Sequence, residues 1–411
     1  MGYKDYKKYT QLEHILARPD TYVGNLNPDV SKQWVFENDT MKQKQCTFVS
    51  GLFKIFDEIL VNALDQCVVD PTVDKIAVDI NIVEGYISVL NTGKGVPIVP
   101  HADYDNIYVP ELIFGNLLTS SNYNDNEQRI TGGRNGYGSK LVNVFSKKFC
   151  VEIVSDGHKY FQEWTNNMSE KTKPKVTKNS KKGYTKITFW PDLARFGMKS
   201  LSDNDIVLLF ERRVYDACAC SGPKVKVYYN GSLLGIKTFD KYADLYFKGE
   251  KRVYEETDRW SVAVSQSDNG FQQVSFVNGI HTSLGGTHVD YICSQLVKKI
   301  TDHLQSKHKD LTVKPQQIKE HMFLFVKSTL TNPTFSSQTK TECTSRWKDF
   351  GSIYRVSDDL LKKMVKMPFI EEIVSSAKHK SLRELNKTDG RKLSVIKGIP
   401  KIGRASCRER V

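Results

Sequence analysis

The sequence lacks the long apolar run that a membrane-spanning helix needs. Of its 411 residues, 39% are hydrophobic and 26% are charged. No stretch approaches the roughly 20 consecutive apolar residues that cross a bilayer, no signal peptide opens the chain, and no internal repeat is evident. We therefore expect a soluble, intracellular protein that does not enter the membrane and is long enough for two domains.

Cysteine is present without the spacing of a metal site. The eight cysteines are scattered along the chain. Cys218 and Cys220 form a C-x-C inside a helical pattern, with no histidine or cysteine companion. We interpret the cysteines as reduced core residues.

Acidic residues are outnumbered by basic ones. The chain has 60 lysines and arginines against 47 aspartates and glutamates, a formal net charge of +13. Such a balance favours a polyanionic partner, and nucleic acid is the natural candidate. Two segments concentrate lysine, residues 306–314 and 171–182, and the second of them is predicted to be a solvated hairpin loop. Because charge runs are usually just solvated, composition alone leaves contact with DNA open.

The richest feature of the chain is a glycine-rich segment at residues 131–140, which holds four glycines among polar and basic side chains. Closely spaced glycines let the backbone reach positive φ, so that successive N–H groups can converge on an anion. Residues 139–146 are predicted to be helical, and a helix N-terminus would add further N–H donors. The segment therefore predicts a phosphate-binding loop.

Two other interpretations of this segment compete. Gly133 to Gly138 has the G-x-x-x-x-G spacing of a P-loop, but Ser139 and Lys140 reverse the required order of lysine and hydroxyl. Residues 119–130 are almost wholly polar and predict no preceding strand, which argues against a P-loop. A flexible surface loop without a ligand is the second alternative.

A long apolar helix is predicted from Ser50, as a plausible cap, to a stop at Asp70 before a proline. Apolar residues cover most of its circumference, which predicts a buried helix. Its polar exceptions, Glu58, Asn62 and Asp65, fall at i, i+4 and i+7 on one stripe. Burying them would be costly unless they faced a cavity, a metal or partners. The alternative is a half-exposed helix with this stripe in solvent.

A β-hairpin is predicted next, from two alternating apolar runs at residues 76–82 and 86–90 joined by a turn at 84–85. It leads into the sequence N-x-G-x-G at residues 91–95. Alone, that sequence is usually a simple turn. In the order acidic helix, hairpin, glycine loop and glycine-rich lid, it is a strong signal.

These motifs in this order resemble the GHKL ATPases, a superfamily of gyrase-type topoisomerases, chaperones, histidine kinases and mismatch-repair ATPases. More closely, residues 4–402 are similar to the ATPase region of eukaryotic-type DNA topoisomerase II, a type IIA enzyme. The segments that carry this resemblance are residues 11–16, 18–24, 56–63, 118–123, 131–140 and 338–340.

The resemblance implies an α/β (α+β) fold in two parts. A GHKL (Bergerat) ATP-binding sandwich of a mixed sheet and helices would be followed by a transducer domain with a βαβ-containing four-stranded sheet. The implied domains are 1–234 (N-terminal arm and ATPase domain), 235–402 (transducer) and 403–411, an atypical tail. In the family a metal-binding TOPRIM domain and a DNA-cleaving domain begin there, so the tail is a candidate scar. No tyrosine of this chain is assigned as the cleaving nucleophile.

Sequence patterns supply elements around the implied domain boundary. A helix is predicted near residues 203–219 and a strand at 225–229. Strands near 260–264 and 271–277 follow in the second part, and a long helix is predicted to end at about residue 307.

The resemblance also implies roles for single residues. Glu58 would be the general base that takes a proton from the water attacking the γ-phosphate. Asn62 would coordinate Mg²⁺ through its amide oxygen. Asn91 would accept from the adenine amino group, where the wider superfamily usually has aspartate. Thr185 would help to fix adenine, although without the resemblance it is better interpreted as an ordinary strand threonine.

Further nucleotide contacts are implied by the same resemblance. Ribose and phosphates would contact Ser120, Ser121 and Asn122. The lid over the phosphates would comprise Arg134, Asn135, Gly136, Tyr137, Gly138 and Lys140.

Other implied residues come from outside the first domain's core. Tyr6 of the arm would reach the nucleotide of the partner subunit. The loop with Gln338 and Lys340 would return to the first domain, where the lysine would meet the γ-phosphate and act in catalysis with the glutamine. Taken alone, Lys340 looks like any surface lysine. DNA would contact Lys307, Lys309 and Lys314.

Three functions are open at this point. The first is the ATP-operated gate of a type IIA topoisomerase, which would bind ATP and Mg²⁺, dimerise through its arm and clamp a DNA duplex. The second is a clamp that binds ATP without useful turnover, against which Glu58 and Lys340 argue. The third is another GHKL enzyme, such as a chaperone or kinase. The first would lie in the nucleus of a cell or, for a large-virus enzyme, in a cytoplasmic factory or the host nucleus.

Overall fold

A computed structural model describes residues 7–119, 128–133, 136–247, 249, 251–309 and 311–389, the last six by their backbone alone. The helices are α1 (Gln11–Ala17), α2 (Ser50–Val69), α3 (Val109–Gly115), α4 (Gly138–Val144), α5 (Ile206–Cys220), α6 (Phe239–Asp244), α7 (Thr287–Lys307), α8 (Pro315–Glu320), α9 (Asp358–Met364) and α10 (Pro368–Asp389).

The strands alternate with these helices along the chain. They are β1 (Asp29–Glu37), β2 (Thr40–Phe48), β3 (Lys75–Asn81), β4 (Tyr86–Thr92), β5 (Ser146–Ser155), β6 (His158–Thr165), β7 (Glu170–Lys171), β8 (Lys175–Lys178), β9 (Tyr184–Pro191), β10 (Lys226–Tyr229), β11 (Ser232–Leu233), β12 (Arg252–Glu256), β13 (Trp260–Gln266), β14 (Gln272–Val277), β15 (Ile280–His281), β16 (Gly285–Gly286), β17 (Met322–Ser328) and β18 (Glu342–Cys343).

The first sheet is mixed and has nine strands in the order β11-β10-β3-β4-β9-β5-β6-β7, with β8 also paired to β6. β10 runs parallel to β3, whereas β3, β4, β9, β5 and β6 pair antiparallel in turn. Its core includes the fully buried Phe56 of α2 together with Phe149 and Phe189 of the sheet. The apolar circumference of α2 and the alternating strands therefore form one layer of helices on one sheet, as predicted.

Helix boundaries differ from the prediction at several places; α5, for example, begins at Ile206 where a start near residue 203 was predicted. Helix α2 begins at Ser50 itself, with Val49 in the cap position. The hydroxyl of Ser50 does not cap the helix and donates to the carbonyl of Asn25 at 3.2 Å. Helix α4 ends at Val144, two residues early, because Ser146 already pairs with Pro191 of β9 as the start of β5. Strand pairing thus overrides the helical pattern of this short segment.

The second sheet has five strands in the order β12-β13-β17-β14-β15. Parallel strands β14 and β17 are joined through α7, which gives the expected βαβ unit. The predicted sheet of four strands gains a fifth because Ile280 and His281 turn back after Asn278 and pair with the end of β14. The family-implied domain limits stay predictions, and residues 403–411 lie outside the described chain.

The loop after β17 is anchored where α7 begins. Gly285 and Gly286 of β16 pair in parallel with Glu342 and Cys343 of β18. The N–H of Leu284 also donates to the carbonyl of Thr341 at 2.9 Å. These bonds fix the segment just before β18 beside the start of α7, in a separate two-stranded sheet, and its Lys340 side chain reaches Glu58 of α2.

Three further features of the described residues concern membrane spans, cysteines and metal sites. Among the described residues, no helix is both long and apolar enough for a bilayer. The seven cysteines in the described ranges are free, and five of them are buried. Over the same ranges, no cluster of three or more histidine, cysteine or acidic side chains could hold a metal.

Candidate active site

A cavity of about 840 Å³ opens between α2, the strands β4 and β9, and the glycine-rich segment. Its volume lies in the usual range for sites of small molecules and cofactors. The predicted site residues that line it are Glu58, Asn62, Asn91, Gly136, Tyr137, Gly138, Lys140, Thr185, Gln338 and Lys340. The helix stripe therefore faces a cavity and not bulk solvent. The predicted residues Tyr6, Ser120, Ser121, Asn122, Arg134 and Asn135 lie outside the described residues.

At one end of the cavity, two neutral side chains come from paired strands. Asn91 of β4 lies directly opposite Thr185 of β9 in the antiparallel register. Asn91 belongs to the strand, contrary to the predicted loop position, and is 7% exposed. Its Nδ2 donates to the carbonyl of Thr92 at 3.2 Å, so its Oδ1 is the atom positioned as an acceptor for a ligand.

At the other end, the carboxylate of Glu58 is buried between two ammonium groups. Nζ of Lys54 lies 2.6 Å from Oε1 of Glu58, and Nζ of Lys340 lies 3.3 Å from the same oxygen. Burial would raise the pKa of Glu58, but the two lysine charges outweigh it and lower the pKa to about 2. Glu58 is therefore ionised at neutral pH.

The second carboxylate oxygen of Glu58 faces the glycine-rich segment. A Cβ on Gly138 would fall well inside contact distance of Oε2. Only glycine fits here, so the backbone of the segment approaches the carboxylate as closely as the chain allows. Both ion pairs use Oε1, which leaves Oε2 on the side of the lid.

Sequence reasoning missed a second charged cluster behind Glu58. Asp57 lies 3.9 Å from Lys54, and its Oδ1 accepts a 2.6 Å bond from Nε of Arg213 in α5. Arg213 is fully buried and also donates from Nη2 to the carbonyl of Gly279 between β14 and β15. The charged face of α2 is therefore linked to the second sheet.

The loop of Gln338 and Lys340 crosses from the second sheet into the cavity. Lys340 has φ of 60°, an uncommon conformation for a residue with a side chain, and is 6% exposed. Such backbone strain persists where surrounding structure enforces it, commonly at functional sites. The predicted return of this loop to the first domain agrees with its placement beside Glu58.

Within the glycine-rich segment, Gly136 has the left-handed φ of 66° expected for a nest. Lys140 is 2% exposed, and its Nζ donates to the carbonyls of Thr119 and Gly136 at 2.5 and 2.6 Å. Burial lowers the pKa of Lys140 to about 8. Helix α4 has only seven residues, so this lysine and the loop amides supply the positive character predicted for the segment.

The first residues of the same segment are hydrogen-bonded to α2 and to the turn after β14. Asp65 of α2 accepts from the N–H groups of Gly132 and Gly133 at 2.7 and 2.9 Å. Burial raises the pKa of Asp65 to about 6, even though these bonds oppose the shift. Asn278 of the second sheet donates to the carbonyl of Thr131 at 3.3 Å. Polarity on the helix stripe predicted a role for Asp65, but not this partner.

A short contact joins the segment to the N-terminal helix. Nε2 of Gln11 in α1 donates to the hydroxyl of Tyr137 at 3.1 Å, and the ring of Tyr22 packs edge-on against Tyr137. No sequence pattern predicted this pair, because hydrogen bonds between distant segments leave no periodic pattern.

The lysines predicted to contact DNA lie away from the cavity. Lys307 ends α7, and Lys309 and Lys314 follow it before α8; all three are exposed. The lysine cluster at residues 171–182 lies partly on the edge strands β7 and β8, where a loop was predicted. Lys171 forms an ion pair with Glu111 there.

Comparisons with known proteins agree with this architecture. The family model described as DNA gyrase B matches residues 228–392. The crystal structure of the ATPase region of Saccharomyces cerevisiae topoisomerase II is 46% identical and superimposes with a TM-score of 0.85, over 94% of this chain and 99% of that one. This chain belongs to the family of topoisomerase II ATPase regions.

Two further comparisons support this membership of the topoisomerase II ATPase family. The ATPase and transducer domains of topoisomerase II from Balamuthia mandrillaris are 42% identical with a TM-score of 0.88, over 95% of this chain and 100% of that one. DNA topoisomerase 2 of Bombyx mori is 48% identical over 97% of this chain. The chain spans 27% of the length of that curated relative. Membership of this family excludes the alternative of a chaperone or kinase.

Proposed function

We propose that this chain is the ATP-operated gate of a type IIA DNA topoisomerase. It would bind and hydrolyse ATP, close as a dimer around a DNA duplex, and reopen after hydrolysis. The observation that carries this proposal is the environment of the buried Glu58. Its Oε1 forms ion pairs with Lys54 of α2 and with Lys340 of the loop before β18, and its Oε2 faces Gly138 of the lid segment.

Hydrolysis would begin with an exchange of partners at Lys340. In the structure this lysine neutralises Glu58 at 3.3 Å. We propose that its ammonium group contacts the γ-phosphate in the nucleotide complex and stabilises the charge that develops there. Glu58 would then lose one of the two cations that hold its pKa low and become a better acceptor for the proton of the attacking water.

Asn91 and Thr185 would hold the adenine while this exchange takes place. Their opposed positions near the ends of β4 and β9 fit a flat ring. Lys140 would give up backbone carbonyls for phosphate oxygens. Burial lowers the pKa of its ammonium group to about 8, and a bound phosphate would oppose that shift.

The side chains of this cavity could hold Mg²⁺ only together with phosphate oxygens of the substrate. Asn62 lines the cavity one helical turn after Glu58, and the described chain offers no ready-made cluster of acidic ligands. Mg²⁺ commonly keeps several waters and takes its other ligands from phosphates, so a single amide oxygen is compatible with it. We propose that Asn62 is that ligand and that the ion, when bound, neutralises phosphate charge.

Two partners follow from the proposal. A second copy of the chain would dimerise in the presence of ATP, with Tyr6 of each arm reaching the other's nucleotide. The exposed lysines Lys307, Lys309 and Lys314 would contact the duplex. The relatives named above are eukaryotic, and we propose an intracellular, nuclear location; an enzyme of a large virus is the alternative.

A clamp without useful turnover is the second candidate, and one observation favours it. With two lysines on one oxygen and a pKa of about 2, Glu58 is a weak base in the structure as it stands. If Lys340 did not leave on nucleotide binding, hydrolysis would be negligible.

Steady-state ATP turnover with and without duplex DNA tests the proposed function. We expect turnover in both cases and stimulation by DNA that weakens with salt, because each neutralised phosphate contributes a log–log slope of roughly 0.9. Light scattering should show conversion of monomer to dimer with a non-hydrolysable ATP analogue. Nucleotide-dependent dimers without any turnover would establish the second candidate instead. One unchanged mass under all nucleotide conditions would refute the clamp.

A further inference from the structure

We propose that Lys54 is a positioning residue for Glu58, which holds one oxygen of the carboxylate so that the other points at the water to be activated. This inference rests on the proposed function of Glu58 as general base. It concerns a lysine one helical turn before the base, outside the motifs that the sequence pointed to.

The two oxygens of the Glu58 carboxylate have different neighbours. Nζ of Lys54 binds Oε1 at 2.6 Å, whereas Oε2 lies against Gly138 of the lid segment. Both side chains are on α2 at i and i+4, so the helix itself sets their separation. A rigid helix fixes this pair more tightly than a loop would.

The side chain of Lys54 is buried where it contacts Glu58. Its side chain is 6% exposed, and so is unlike the solvated lysines that dominate the chain's surface. Burying an ammonium group is costly unless acceptors surround it. Within the described residues its ion-pair partners are Glu58 at 2.6 Å and Asp57 at 3.9 Å.

Charged groups from three elements determine how Glu58 titrates. Helix α2 supplies Lys54, Asp57 and Asp65. The loop before β18 supplies Lys340, and α5 supplies Arg213, which engages Asp57 and not Glu58. Arg213 thereby neutralises Asp57 and leaves Lys54 to the base.

Lys340 and Lys54 therefore differ in what happens when ATP binds. Lys340 is on a loop and would turn to the phosphate. Lys54 is on the same helix as Glu58 and would stay paired with it. In the nucleotide complex Lys54 would be the cation that keeps the buried carboxylate ionised and oriented. The dependence of kcat on pH reports groups in that complex, so it isolates the contribution of Lys54.

The experiment measures kcat, KM for ATP and their pH profiles for Lys54→Met, Lys54→Gln and Lys54→Arg in the full 411-residue chain. We expect the acid limb of kcat to move to higher pH by about one unit or more in both neutral variants, because burial then raises the pKa of Glu58 with less opposition. On the plateau kcat should fall about tenfold or more through lost orientation, while KM changes less than threefold. Lys54→Arg should keep the wild-type limb.

A control removes a more exposed lysine ion pair elsewhere in the chain. Lys299 of α7 binds Asp358 at 2.9 Å in the second part of the chain. Lys299→Met should leave the acid limb where it is in wild type. The profile thus separates an effect on the base from a general loss of stability.

Three results would overturn the inference. One is an unmoved acid limb in a folded neutral variant, and another is a loss confined to KM. The third is failure of both neutral variants to fold while Lys54→Arg folds, which would make the lysine a requirement of the fold. Glu58→Gln separates this inference from the proposed function. If Glu58→Gln hydrolyses ATP normally, the general-base assignment itself is wrong; if it is inactive and the limb does not move, only the role of Lys54 fails.

Discussion

The two ends of the cavity are built in different ways. The end with Asn91 and Thr185 consists of neutral side chains on two strands held in register by backbone hydrogen bonds. The end with Glu58 combines a helix, the lid segment and a loop anchored beside the start of α7, and its groups are charged. The first end is built within one sheet, whereas the second depends on contacts between segments that are distant in the sequence.

This difference suggests that one end of the cavity binds the base of the nucleotide and the other carries out the phosphate chemistry. Recognition of a flat neutral ring needs fixed hydrogen-bonding groups, which a sheet supplies without rearrangement. Phosphate chemistry needs charges that change partners, which ion pairs between separate segments allow. The lid base adds to this coupling, because Asp65 and Asn278 tie it to α2 and to the second sheet.

The largest effect should come from crowding the charged end. In Gly138→Ala the new methyl group would collide with Oε2 of Glu58, and either the lid or the base must shift. We expect hydrolysis to fall about a hundredfold or more, since small misplacements of reacting groups have effects of that order. Gly235→Ala is a matched control, because a Cβ there meets no atom within 4 Å. Normal turnover by Gly138→Ala would break the comparison.

A smaller effect should follow from loss of the proposed metal ligand. Asn62→Ala should weaken binding of Mg·ATP about tenfold, because an amide oxygen is removed from the ion. The affinity for ATP in excess EDTA should change little. Calorimetric titrations with and without Mg²⁺ check this, and equal affinities of mutant and wild type for Mg·ATP would indicate that the helix stripe is structural.

At the neutral end, Asn91→Ala should weaken binding of ATP by up to about tenfold, the usual worth of one hydrogen bond. The kcat at saturating ATP should stay near wild type. Asn91→Asp keeps an acceptor oxygen at the same place and should retain more affinity than Asn91→Ala. If Asn91→Ala lowers kcat and leaves affinity unchanged, the two ends do not divide binding from chemistry.

The smallest predicted effect is on stability at low pH. The pKa of Glu58 is lowered from 4.5 to about 2 in the folded protein. Such a carboxylate stabilises the folded state above pH 4.5 and loses this contribution as the pH falls toward 2.

Urea unfolding of wild type and Glu58→Gln between pH 7 and pH 3 measures this contribution. The stability advantage of wild type should shrink as the pH falls below 4.5. Glu84→Gln, at the exposed turn between β3 and β4, is the control, and its difference from wild type should stay nearly constant. A constant difference for Glu58→Gln as well would contradict the two ion pairs.

Much of the fold could be predicted from periodicity. The apolar circumference of α2, the alternation of β3 and β4, and the long helix α7 all correspond to patterns that extend over many residues. The βαβ unit around α7 was implied by the family resemblance. The polar stripe on α2 was informative for the same reason, because three exceptions on one helical face stand out against an apolar background. The roles of those residues came from the family resemblance and stay proposals.

The rest depended on contacts that no local pattern encodes. Arg213 lies 156 residues from Asp57, and Lys54 looks like a solvated lysine until its burial is seen. The end of α4 was set by the pairing of Ser146 with Pro191, which belongs to a strand 45 residues further on. Long-range pairing and buried charge therefore determined what the sequence alone left open.

The most direct test of the proposed gate is a comparison of ATP binding and single-turnover hydrolysis in Glu58→Gln. The substitution removes the base and keeps the size and much of the hydrogen bonding of the side chain. We predict nearly unchanged affinity for ATP and hydrolysis slowed about a hundredfold or more. Loss of affinity equal to the loss of rate, or hydrolysis at the wild-type rate, would contradict the assignment of Glu58 as the general base.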